Sequence, residues 1–149
     1  MHKPIELAIQ LADKDYSDAP ESILTDHLVQ IAQSGTQKLV SSKELFTKYV
    51  LGPRIALENL SAWRSFLATS FGAEMAQSTR NDISVLTNWI RENIRVNTVA
   101  NKHSRAPISP IGVYNLRVAD PLSRDIFFVA ACRTFGIPAR LNPETQIPV

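Results

Sequence analysis

The sequence predicts a mainly α chain, with about six helices and minimal β-structure. Apolar residues recur at helical spacing along most of the 149 positions. Most runs open near a capping residue and close at a glycine or a Gly-Pro pair. No internal repeat or low-complexity tract competes with that pattern.

The elements follow in order. "IELAIQLA" puts Ile5, Ala8, Ile9 and Ala12 on one face of a short amphipathic helix. "SDAPESILTDHLVQIAQSG" opens on Ser17 or Asp18, carries Pro20 in its first turn, stripes Leu24, Leu28 and Ile31, and stops at Gly35. "SSKELFTKYVLGP" is capped by Ser41 or Ser42 and halted by Gly52-Pro53. "ALENLSAWRSFLATSFG" repeats Leu57, Leu60, Trp63, Leu67 and Phe71, and is expected to end at Gly72. "NDISVLTNWIRENIRVN" starts at Asn81 or Asp82 and buries Ile83, Leu86, Ile90 and Ile94, with Trp89 beside them.

Residues 97 to 119 break the period and read as a long loop, a feature that is often functional in a compact domain. The last helix has Asp120 as N-cap and Pro121 at its first position, with Ile126, Phe127, Ala130 and Phe135 buried. Gly136 ends it, Pro138 prevents a restart, and "ARLN" enters a strand. Its apolar face is expected to pack on Trp89, Ile90 and Ile94.

A chain of this length is one domain's worth and can bury a core without disulfides or metal. Sixteen basic residues against 14 acidic leave a formal charge of +2, which gives no electrostatic reason to expect nucleic acid or an anionic membrane as partner. A single cysteine excludes an internal disulfide framework and a multi-cysteine zinc site. No apolar run approaches the ~18 residues a membrane span needs, and "MHKPIELAIQLADKD" is not expected to be a signal peptide, having no uninterrupted apolar segment before a small-residue cleavage site. The cellular address stays open, an exported parent included. The chain stops just as an extended segment begins, so a longer parent protein is expected.

Ser123 lies in the first turn of the last helix, where the dipole favours an anion by roughly 0.3–1 kcal/mol. That field helps a thiol whose pKa is already near 8.5, but a hydroxyl needs a neighbouring base. Ser123 therefore reads either as a nucleophile or as a first-turn residue bonded to its own backbone. His2 sits at the terminus, His27 is expected to be partly exposed, and His103 lies in the long loop. Cys132, nine residues after Ser123 and half a turn around the helix, reads as a small buried hydrophobe. Asp120 and Asp125 form an acid/base pair on paper, though a cap and a dipole partner explain them as well. Arg105, Arg117, Arg124, Arg133 and Arg140 crowd the last third without interleaved exposed aromatics. There is no Gly-rich phosphate loop or paired-histidine motif, and no cofactor or metal is implied.

"SRDIFFVAACRTFGIPAR" resembles the nucleophile helix of the transglutaminase-like family, whose fold is papain-like. In that family a Cys-Arg-Asp opens an alanine-rich helix that ends in a Gly-Ile-Pro-Ala-Arg turn leading to the central sheet. The resemblance covers residues 83 to 149, with "GIPAR" at 136 to 140 its most specific part. Residues 1–80 match the helical lead-in of some large bacterial proteins carrying this domain. It implies a helical lead-in at 1–80 and the N-terminal part of a core at 81–149, together one compact unit. The fold expected is the helical half of an α+β papain-like core, cut before its sheet.

Two departures bear on activity. The resemblance places Ser123 at the catalytic cysteine's position, and the family's histidine and aspartate come from strands beyond residue 149. The expectation is an inactive member that serves as a binding or scaffold module, with a peptide or glycan as ligand of the parent. Two alternatives stand beside it. One is an active peptidase or amide-transfer enzyme using Ser123 with a downstream histidine and aspartate; the other is an unrelated helical interaction domain. Oligomeric state is left open.

Overall fold

A computed structural model describes residues 21–34, 50, 53–56, 61–99, 106–142 and 148. The helices expected at 5–12 and, apart from Val50, at 41–51 lie outside the described residues, as do the starts of the helices expected at 17 and 57. The described residues form five helices and two short strands: α1 (Glu21–Ser34), α2 (Trp63–Asn81), α3 (Ser84–Asn93), β1 (Arg95–Val96), α4 (Pro110–Leu116), β2 (Val118–Ala119) and α5 (Pro121–Thr134). The fold is mainly helical, as the periodicity predicts.

Helix α2 is the shared element, packed against α1, α3, α4 and α5. It does not stop at Gly72. The backbone there turns to φ 81° and ψ 168°, and helix resumes as far as Asn81. A left-handed φ is open to glycine at little steric cost, so the expected stop is a kink between two helical halves. Phe71, just before the kink, lies edge-on to Trp89 at 4.8 Å, Tyr114 at 5.6 Å and Phe135 at 5.5 Å. The bend thereby anchors an aromatic centre drawn from α3, α4 and the end of α5.

Asp82 accepts from the amide of Ser84 at 3.0 Å, so it marks the start of α3 as expected. Leu86, Ile90 and Ile94 are buried, but Ile83 is 44% exposed, against expectation. It precedes the first helical turn and falls off the buried face. The chain leaves helix at Ile94 and becomes β1, which pairs in parallel with β2, Arg95 opposite Val118 and Val96 opposite Ala119.

The expected loop from 97 to 119 therefore holds a helix and a strand. Ser109 caps α4 by accepting from the Gly112 amide at 3.1 Å, with Pro110 at the first helical position. That cap signature stands in the sequence as "SPIG", but seven residues are too few to show a period.

Helix α5 is the best-covered element. Ile126, Phe127, Val129, Ala130 and Ala131 are wholly buried, and Phe135 is nearly so. Its C-terminus closes with Gly136 at φ 80°: the Gly136 amide reaches Arg133 O at 3.2 Å and the Ile137 amide reaches Cys132 O at 2.8 Å. This is the Schellman pattern, and it satisfies carbonyls that a helix end leaves bare. Arg133 Nε then holds Ala139 O at 3.0 Å, fixing the turn that "GIPAR" encodes. Among the described residues, the segment after it shows one antiparallel bridge, Leu141 to Pro148, at the expected strand entry.

Candidate functional site

The site begins where α5 begins. Asp120, extended at φ −68° and ψ 163°, accepts from the Ser123 amide at 3.2 Å, as an N-cap should. Its other oxygen accepts the Ser123 hydroxyl proton at 2.5 Å. The same hydroxyl accepts from the Ile108 amide at 2.9 Å. Ser123 is wholly buried. Its proton and one lone pair are both committed, and the three groups tie the segment before α4 to the start of α5.

Asp125, the other half of the expected carboxylate pair, turns to its neighbour instead. Arg124 holds it through Nη2 at 2.7 Å and Nε at 2.8 Å. Asp120 and Asp125 thus serve different partners.

Cys132 is buried as expected. Burial pushes its thiol up to about 12, opposed only in part by the Arg133 charge. A thiol there stays protonated at neutral pH and is inert as a nucleophile.

His27 corrects an expectation: it is wholly buried. Its Nε2 meets Ser61 O at 2.8 Å and its Nδ1 accepts from Arg64 Nε at 3.2 Å. Trp63 closes over it edge-on at 4.8 Å. Burial first, and the Arg64 charge second, push the imidazole down to about 3, against the Ser61 hydrogen bond. It is a neutral structural group with both nitrogens occupied, unsuited to act as a base. Arg64 in turn spends Nη1 on Arg133 O at 3.0 Å and Nη2 on Val50 O at 2.7 Å, so one buried guanidinium joins α1, α2 and the end of α5. Burial holds its pKa down to about 9, with the Arg133 charge adding to that and Asp26 opposing it. His2 and His103 lie outside the described residues.

The arginines of the last third are not gathered into one patch. Arg133 is buried among backbone carbonyls. Arg117 lies over the rings of Trp89 and Tyr114 at 4.9 and 4.5 Å. Arg124 is paired with Asp125, Arg140 is exposed, and Arg105 is outside the described residues.

What the sequence reading missed is a groove of about 660 Å³ between α3, β1 and the first half of α5. Ile90, Ile94 and Phe128 line it together with Arg91, Arg95 and Arg124. The only hint in the sequence is the spacing of Arg91 and Arg95, one turn apart on paper. Ser123 is not among its walls. Among the described residues, no group of His, Cys, Asp and Glu is placed to hold a metal, and no helix is long and apolar enough to cross a membrane.

Comparison with curated proteins and with solved structures found no match. The sequence profile of the transglutaminase-like superfamily matches residues 67–144, which run from the first half of α2 through the turn after α5. That span is just over half of the chain and contains the α5 start, the Schellman turn and the "GIPAR" residues. The chain belongs to the transglutaminase-like superfamily.

Proposed function

We propose that this member of the superfamily has no nucleophilic chemistry at Ser123 and works as a binding or scaffold module. The observation that supports this is the state of the Ser123 hydroxyl: buried, donating to Asp120 and accepting from the Ile108 amide. A hydroxyl becomes a nucleophile when a base draws its proton while a lone pair faces substrate. Here the proton partner is the carboxylate that caps the helix, not the histidine that activates serine nucleophiles. One of the two lone pairs is held by the Ile108 amide, and the buried oxygen has no exposed face. His27 has both ring nitrogens engaged elsewhere. Serine at the position the resemblance gives to cysteine fits a cap retained for structure after loss of the sulfur chemistry.

A fluorophosphonate probe tests the reading. The native chain should show no adduct at Ser123 by peptide mass spectrometry after prolonged incubation. Stoichiometric labelling of Ser123, absent from a folded Ser123→Ala variant, would overturn it and favour a serine-dependent enzyme completed by groups beyond residue 149.

A further inference from the structure

The groove beside β1 has two properties that together specify a ligand. The first is charge. Arg91, Arg95 and Arg124 stand on its walls, and the one acid among its described lining residues, Asp125, is already bound to Arg124 at 2.7 Å. Two exposed guanidinium groups, Arg91 and Arg95, therefore face an apolar floor of Ile90, Ile94 and Phe128 with no carboxylate of the described lining left to neutralise them.

The second property is a strand edge that no described residue pairs with, although Pro148 also lines the groove. The amides of Arg95 and Asn97 both point to β2, donating to Arg117 O at 2.8 Å and Ala119 O at 2.9 Å. Backbone groups alternate sides along a strand, so the N–H and C=O of Val96 between them face away from β2. Val96 lines the groove and is 42% exposed. An edge of this kind is a template for another extended chain, with main-chain bonds giving affinity and flanking pockets reading alternate side chains.

We propose that this groove binds an extended acidic peptide segment, which adds to this edge of β1. Its apolar residues enter between Ile94 and Phe128, and its carboxylates meet Arg91 and Arg95. A neutral or basic strand would satisfy the edge but leave both guanidinium groups without a carboxylate, Arg91 keeping only its 3.3 Å bond to Asn88 Oδ1, so charge selects among extended chains. This deepens the binding reading given above and rests on it. The groove does not include Ser123, so the two fail separately: labelling of Ser123 sinks the first, and the measurements below sink the second.

The test uses the whole chain and fluorescein-labelled peptides of alternating valine and glutamate, with an alternating valine–lysine peptide as counterpart, read by fluorescence anisotropy. The glutamate peptide should bind and weaken as salt rises, because exposed charge pairs are screened over ~10 Å at 0.1 M salt. The double variant Arg91→Glu/Arg95→Glu should weaken it by about tenfold or more and improve the lysine peptide, as expected for reversal of rim charges. Val96→Pro removes the outward N–H while leaving both amide bonds to β2 in place, and should also weaken the glutamate peptide by about tenfold, the scale of one lost hydrogen bond. Circular dichroism checks that each variant is folded; the two variants report on charge and on edge pairing independently. Equal binding of the lysine peptide, unchanged affinity in both variants, or no binding at millimolar peptide would overturn the proposal. So would sedimentation showing that the groove is closed by a second copy of the chain, in a dimer that the double variant dissociates.

Discussion

Acidification should destabilise this fold through one residue, His27, and the size of the effect can be worked out. In the folded chain the imidazole is neutral, its nitrogens bonded to Ser61 O and Arg64 Nε, and burial holds its pKa down to about 3. In the unfolded chain it returns to about 6.5. Between those two values the unfolded state binds a proton that the folded state refuses, so stability rises with pH and falls as pH drops through 6.5 toward 3. From pH 7 to pH 5 the loss from this group alone is about 2 kcal/mol, and by pH 4 about 3 kcal/mol. Carboxylates also titrate in this range, so the measurement is a difference. Urea denaturation of the native chain and of His27→Gln, at pH 7, 6 and 5, isolates the term. Glutamine can donate its amide to Ser61 O and accept from Arg64 without titrating. The native chain should lose about 2 kcal/mol more than the variant over that span. Parallel pH profiles would refute the assignment of His27 as a buried neutral group.

Three further outcomes can be measured on the same preparation. Phe127→Ala removes a wholly buried ring that stacks on Trp89 at 6.1 Å, and chemical denaturation should register a loss of about 3–5 kcal/mol. An unchanged transition would contradict the place of α5 at the centre of the core. Asp120→Ala deprives the α5 N-terminus of its cap and the Ser123 hydroxyl of its acceptor, and should cost roughly 2–4 kcal/mol, more than a cap alone. Cys132, pushed up to about 12, should resist iodoacetamide at neutral pH in the native chain and react once urea exposes it; rapid native alkylation would show the thiol to be accessible.

The parts of the fold legible in the sequence were those specified by neighbours in the chain. Asp120, Pro121 and Gly136 bound α5 because a cap, a preset φ and a left-handed residue act within one turn of where they stand. The same locality explains where elements depart from the pattern. Gly72 looks like Gly136 in one dimension, yet helix continues past it because Phe71 is held by Trp89, Tyr114 and Phe135 from three other elements. Helix α4 is too short to show a period, and β1 and β2 are defined by each other across 23 positions.

By itself the sequence determined the helical class, the boundaries and buried face of α5, and, through "GIPAR", the superfamily. Those rest on local backbone chemistry and on the order of residues. Only the tertiary structure decided what the polar groups do. It buried His27 beside Arg64 from 37 positions away and set the Ile108 amide on the Ser123 hydroxyl. It also opened a groove beside β1 in which three arginines stand over Ile90, Ile94 and Phe128. A hydroxyl, an imidazole or a guanidinium has the same formula wherever it stands; its reactivity depends on desolvation and on the partners that the fold brings to it.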